Sequence, residues 1–271
     1  MSARLSQTFD RLRKDRQTAF IPFIMGGDPT PEITAKLLKE LPEAGADVIE
    51  LGMPFSDPMA DGPVIEAAGH RALKAGMSLR KILKLVENFR RTNTHTAVIL
   101  MGYYNPLYHY GVEAFAADAQ KAGVDGMIIV DVPPEEEQEV APLFHDKSID
   151  FIRLIAPTTP PDRQEIITRY SSGFLYYIAV KGITGSQSAS LQELQAAIRQ
   201  LREKCPLPVA AGFGIKTADQ AAAIAPLADA VVVGSAIVDV LGKNGPDAAI
   251  KFVKELAQAV HNIVDKPDKP L

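Results

Sequence analysis

Val48-Ile49-Glu50-Leu51-Gly52 is an apolar run broken by one acid and ended by glycine, and the loop that follows it runs Met53-Pro54-Phe55-Ser56-Asp57-Pro58-Met59-Ala60-Asp61-Gly62-Pro63. A short run of this kind has the character of a strand buried on both faces, as in parallel sheets. Seven more follow the same pattern: Ala19–Ile24, Ala97–Met101, Gly126–Val130, Phe151–Ile155, Phe174–Ala179, Pro208–Ala211 and Ala230–Val233. Helical stripes lie between them, such as Ile33, Leu37, Leu38 and Leu41, or Leu191, Leu194, Ile198 and Leu201. Gly45, Gly123, Pro133-Pro134 and Pro206 punctuate the changes. Leu5, Phe9 and Leu12 are in helical register within Arg4–Lys14, an additional helix ahead of the first strand.

Eight β/α units in 271 residues favour a single (β/α)8 TIM barrel, for which roughly 250 residues is typical. Alternation alone also allows an open doubly wound sheet, but no dinucleotide fingerprint follows the first strand. With no compositional break, residues 1–271 are expected to form one domain, with a frayed tail at about Asp265–Leu271.

Composition narrows the function. Hydrophobic residues make up 46% and charged residues 23%, so a folded chain is expected, and a net charge of −4 argues against nucleic acid as a partner. The single cysteine, Cys205, cannot build a disulfide framework, and the five histidines show no ligand spacing, so no metal is expected. No apolar stretch reaches about 18 residues, so no membrane span is expected. With no signal-type start, a cytoplasmic enzyme is the expectation.

The interval from the second strand to the third, about 50 residues, is the longest in the chain, and barrel function sits in such βα loops. Glu50 stands at the C-terminal end of its strand, which in a barrel faces the active-site mouth. Burial there would raise its pKa towards one suited to proton transfer. The competing reading is an outward residue paired with a helix lysine. Asp57-Pro58 and Asp61-Gly62-Pro63 read singly as turns, yet three acids within twelve residues of a strand end suggest a site.

Glycines follow the last three strands: Lys181-Gly182-Ile183-Thr184-Gly185-Ser186, Gly212-Phe213-Gly214 and Gly234-Ser235. Such loops suit a phosphate, with a helix starting at Gly234 aiming free N–H groups at it; tight turns alone are the alternative. Tyr103, Tyr104, Tyr108 and Tyr110 could stack on a ligand or pack the core, and Glu135-Glu136-Glu137 reads as the start of a helix.

Taken together these motifs resemble the tryptophan synthase α-chain family. The loop from Glu50 to Pro63 carries most of the likeness. Pro22-Phe23, Gly27-Asp28-Pro29, Asn105-Pro106, Asp131-Val132-Pro133, Gly182-Ile183-Thr184-Gly185 and Gly212-Phe213-Gly214 support it. The resemblance implies a lyase that splits indole-3-glycerol phosphate into indole and glyceraldehyde 3-phosphate without a cofactor of its own. It implies acid–base work for Glu50 and a contact from Asp61 to the indole N–H. Phe23, Tyr103, Ile155 and Tyr176 match the indole pocket, Gly185, Gly214, Gly234 and Ser235 the phosphate site, and Thr184 a closing loop. The Met53-to-Asp61 loop, with Asp57 and Pro58, and Asn105 match surfaces that meet a β subunit. That partner carries pyridoxal phosphate and completes tryptophan synthesis in an α2β2 assembly. The chain departs from many relatives in having Lys181 where an arginine precedes the glycine loop. A lyase working alone and an idle ligand-binding regulatory subunit are the alternative functions.

Overall fold

A computed structural model describes residues 2–178, 187–212 and 214–262. Its strands are β1 (Ala19–Met25), β2 (Val48–Gly52), β3 (Ala97–Gly102), β4 (Gly126–Ile129), β5 (Asp150–Phe151), β6 (Arg153–Ile155), β7 (Leu175–Ile178), β8 (Val209–Gly212) and β9 (Ala230–Val233). Every pairing is parallel, and the order is β5-β4-β3-β2-β1-β9-β8-β7-β6. The two ends of that order are consecutive in the chain, joined through Ile152, whose N–H continues the ladder to Met127 O at 2.9 Å. The circle is therefore closed by the fifth expected strand, whose first half bonds β4 and whose second half bonds β7. That division of partners is why one apolar run becomes two strands.

Helices cover the outside. Pro31–Glu40 starts at Thr30, whose hydroxyl accepts the Ile33 N–H. Val112–Ala122 stops at Gly123, at φ +87°, with Val124 N–H returning to Ala119 O at 3.0 Å. The long second interval holds two helices, Pro63–Lys74 and Leu79–Arg90. The expected helix at Glu135-Glu136-Glu137 is instead a 3₁₀ turn, Pro134–Glu139, which buries Glu137 against Arg153.

Side-chain alternation separates two cores. Ala19, Ile21, Val48, Ala97, Ile99, Ile128, Ile152, Phe174, Ala210, Ala230 and Val232 fill the interior. Leu5, Phe9 and Leu12 of the helix Ala3–Lys14 join them, with the Phe9 and Phe174 rings 5.7 Å apart. The expected N-terminal helix is thus a plug across the barrel's N-terminal end. Residues of the other parity, such as Phe20, Ile49, Leu51, Val98, Leu100 and Phe151, pack outward against the helices.

A buried acid fastens the plug. Asp125 accepts from Arg4 Nη1 at 2.8 Å, Arg90 Nη2 at 2.6 Å, Ser2 Oγ at 2.7 Å and the Val98 N–H at 2.8 Å. Replacing it by alanine leaves the largely buried Arg90 without its carboxylate, so Asp125→Ala should destabilise the fold by about 3–5 kcal/mol. Urea unfolding of the two proteins measures this, and an unchanged midpoint would mean the cluster contributes nothing to the plug.

Candidate active site

Glu50 lies on the inward row of β2, in register with Phe23 of β1 and Ile99 of β3. It is 1% exposed, and neither carboxyl oxygen has a hydrogen-bond partner among the described residues. Burial without compensation penalises the charged form, and it pushes this carboxyl up to about 8. The outward, lysine-paired alternative does not hold. Glu50 instead opens into a cavity of about 270 Å³ at the C-terminal ends of the strands, beside Phe23 and Tyr176. The Tyr176 phenol is itself raised, first by burial and then by the charge of Glu50.

Asp61 lines the same cavity from the loop after β2. Burial raises its carboxyl; Tyr103, within reach, counteracts by favouring the ionised form, and Glu66 raises it further. The Tyr103 hydroxyl accepts the Ala60 N–H at 3.1 Å, and its ring packs on Phe55 with centroids 5.6 Å apart. Desolvation drives the Tyr103 phenol up to about 12. The loop is anchored at its start by Met53 N–H to Met101 O at 2.7 Å. Beyond it, Arg71 of Pro63–Lys74 grips the fully buried Asp28 through Nε at 2.6 Å and Nη2 at 2.9 Å.

Gly212, Gly214, Gly234 and Ser235 also line the cavity. The helix Ser235–Asn244 begins at Gly234, and its first turn closes with Val238 N–H to Gly234 O at 3.1 Å. The amides of Ser235, Ala236 and Ile237 therefore precede the first intrahelical acceptor and are positioned for an anion. Close approach explains two of the glycines: a Cβ at Gly212 would stand 2.6 Å from Tyr176 Cε2, and one at Gly234 would stand 3.3 Å from Phe23 Cβ.

The structure thus brings Phe23, Glu50, Asp61, Tyr103, Tyr176, Gly214, Gly234 and Ser235 to one cavity. Ile155 is not among them. It pairs with Tyr177 and packs in the outer core, whereas its neighbour Leu154 pairs with Tyr176 and has the inward parity. Asp57 and Asn105 are exposed and Pro58 is half-buried, outside the cavity, as are Met59 at 77% and Tyr108 at 71% exposure. Lys181, Thr184 and Gly185 lie outside the described residues, as do Phe213 and the tail expected to fray. Met25, Met101, Val130, Ile178 and Val232 line the cavity without having been singled out from sequence. Counting in twos along each strand from Phe23, Tyr176 or Gly234 would have found Met25, Ile178 and Val232.

Residues 9–265 match the family model described as tryptophan synthase alpha chain. Tryptophan synthase subunit alpha from Legionella pneumophila strain Paris is 40% identical with a TM-score of 0.89, covering 97% of this chain and 100% of that one. A protein from Aquifex aeolicus VF5 is 34% identical at a TM-score of 0.88, covering 97% and 100%. Tryptophan synthase from M. tuberculosis, in an aminoacrylate-bound form, is 33% identical at 0.87, covering 96% and 100%. The α chain of this family carries no cofactor itself and works with a β subunit. With nearly its whole length matched and an acid-lined cavity at the mouth of its barrel, the chain belongs to the tryptophan synthase α-chain family, the lyase subunits that cleave indole-3-glycerol phosphate.

Proposed function

We propose that Glu50 is the proton shuttle of this cleavage and Asp61 the charge that stabilises its cationic intermediate. The observation that carries this reading is the Glu50 carboxyl, buried in the cavity with no hydrogen-bond partner among the described residues and pushed up to about 8. At neutral pH such a group is mostly protonated and can give its proton to the indole ring carbon that bears the glycerol chain. The ring then carries positive charge, spread to its nitrogen. Asp61 accepts that N–H and offsets the charge in a cavity where water competes little. Glu50, now a carboxylate, removes the proton of the adjacent hydroxyl. The carbon–carbon bond breaks, its electrons return to the ring, and indole and an aldehyde result. Glu50 ends protonated, ready for another turnover.

Phe23 and Tyr176 would flank the indole, with Tyr103 beyond them. Gly214, Gly234 and Ser235 would hold the phosphate by main-chain N–H groups, and on the family pattern Gly185 would join them and Thr184 would belong to a closing loop. The surface of Asp57, Pro58, the exposed Met59 and Asn105 would meet a β subunit carrying pyridoxal phosphate in an α2β2 assembly. There indole would be consumed to make tryptophan. The reaction's place would be the cytoplasm. No helix among the described residues is long and apolar enough to cross a membrane.

The test is glyceraldehyde 3-phosphate release from indole-3-glycerol phosphate, first by the chain alone and then with a β subunit. Slow release alone and a large increase with β is expected; rapid release alone would favour a free-standing lyase, and none in either case an idle subunit. Glu50→Gln should cut turnover by roughly 10²–10⁴-fold with substrate binding retained, and Asp61→Asn by about 10²–10³-fold. Normal turnover in either variant removes that residue from its role. Gly234→Val should weaken glycerol phosphate binding by about tenfold or more; unchanged affinity would place the phosphate elsewhere.

Glu50 also makes a stability prediction. In the fold its carboxyl keeps its proton up to about 8, whereas the unfolded chain releases it near the ordinary 4.5. Between those values the unfolded state binds fewer protons, so stability falls as pH rises. By pH 7 the loss is on the order of 3 kcal/mol at about 1.4 kcal/mol per pH unit. Glu50→Gln lacks this slope and should be the more stable protein at pH 7 but not at pH 4.5. Urea unfolding at both pH values checks it; an unchanged slope would mean Glu50 is ionised in the folded protein.

A further inference from the structure

We infer that Tyr103 is a positioning residue for Asp61, held in place in turn by Asp131 through the main-chain N–H of Tyr104; this rests on the role proposed above for Asp61. The contact path runs through three elements. Asp131, just after β4, accepts the Tyr104 N–H at 2.8 Å. That bond fixes the start of the helix Tyr104–Tyr110 and with it the preceding residue, Tyr103. The Tyr103 ring is buried against Phe55, and its hydroxyl accepts the Ala60 N–H at 3.1 Å. The bond holds the residue directly before Asp61, and the hydroxyl's own proton stays free on the cavity that Tyr103 and Asp61 both line, where the phenol favours the ionised carboxyl.

The segment that carries Asp131 is itself fixed. Arg153 Nη1 donates to Val132 O at 2.9 Å, and the same guanidinium is ion-paired with the buried Glu137. A rigid post therefore stands behind Tyr103, while the loop in front of it is exposed from Ser56 to Asp57 and at Met59 and Ala60. The consequence is chemical as well as geometric. The Tyr103 phenol favours ionised Asp61 and so works against the burial that raises its carboxyl, and an ionised Asp61 is the form that can stabilise a cation. The other acids near this pair are Glu66 on Pro63–Lys74, Asp131 itself, and Glu50 in the cavity. Glu66 raises the Asp61 carboxyl along with burial, and Tyr103 is the group that opposes both.

The experiment is a cycle of Tyr103→Phe, Asp61→Asn and the double variant, assayed for indole-3-glycerol phosphate cleavage across pH. Phenylalanine keeps the ring and removes only the hydroxyl. Tyr103→Phe should lower kcat about 10- to 100-fold, the range for losing one hydrogen bond to a charged group, with KM little changed. Its acid limb should move to higher pH, because Asp61 loses the donor that favoured ionisation. In the Asp61→Asn background the same change should add little, since there is no carboxylate left to hold. Asp131→Ala should reproduce part of the loss and Asp131→Asn, which keeps an acceptor for the Tyr104 N–H, should restore it.

An unshifted acid limb, or full additivity in the double variant, would overturn the role of Tyr103 and leave it a lining residue. Full activity in Asp131→Ala would remove the anchor. If Asp131→Ala does not fold, the Tyr103/Asp61 cycle still decides. An inactive wild-type chain, alone and with a β subunit, would instead sink the reading of the site on which this inference rests.

Discussion

Closing eight parallel strand positions into a circle leaves each strand one row of side chains inside and one outside, and the rest of this protein follows from that division. The inner rows fill the lower barrel with Ala19, Ile21, Val48, Ala97, Ile99 and Phe174, and the N-terminal helix seals the end with Leu5, Phe9 and Leu12. The C-terminal end is left open to the cavity that Glu50 lines. The residues that reach it are those that continue the inner rows: Phe23, Glu50, Met101, Tyr176, Gly212 and Val232. A carboxylate can thus be buried at the floor of the cavity because the strand on either side carries apolar residues at its level, Phe23 and Ile99.

The two ends of the barrel treat buried charge in opposite ways. At the base, Asp125 is 1% exposed and accepts four hydrogen bonds, two of them from arginines. Fully satisfied, it behaves as a structural bolt. At the mouth, Glu50 is buried to the same degree and has no partner among the described residues. A fold selected only for stability would supply a donor or replace the acid by an apolar residue. The contrast within one molecule is what supports the proposed role of Glu50 as a group that exchanges its proton with something the cavity admits.

Much of this was legible in the sequence, for reasons that also explain the misses. Runs such as Val48–Gly52 and Ala230–Val233 announce two-sided burial because no residue in them can face water, and the position of Glu50 at a strand end follows at once. The same property hides parity: in Phe151–Ile155 nothing tells the inward residue from the outward one, so the strand pattern offers no check on the pocket position that the resemblance implies for Ile155, whereas in the structure Leu154 has the inward parity. Only the split of that strand between β4 and β7 sets the alternation. The plug made by the first helix was likewise out of reach, since an amphipathic stripe says that a helix is covered but not by what. The link from Asp131 to Tyr104 spans 27 residues and passes through a main-chain N–H, which leaves no residue-type signal.

The loop after β2 has to meet two requirements that oppose each other. It must hold Asp61 at the cavity, yet Ala60, Asp61 and Gly62 also line the space a ligand has to enter. Apolar packing would meet the first at the expense of the second, and Met59, 77% exposed, shows that packing is not what holds the loop's tip. Its ends are fixed, by Met53 N–H on Met101 O and by Arg71 on Asp28. Its tip is held to the barrel by the Ala60 N–H on Tyr103, a neutral hydrogen bond of the kind worth roughly 0.5–1.5 kcal/mol net. A contact of that size is broken and remade by thermal motion, but it has one geometry. Fixed ends and a weak, directional bond at Ala60, with the Phe55 ring against Tyr103, hold Asp61 at the cavity while the tip around Met59 stays exposed.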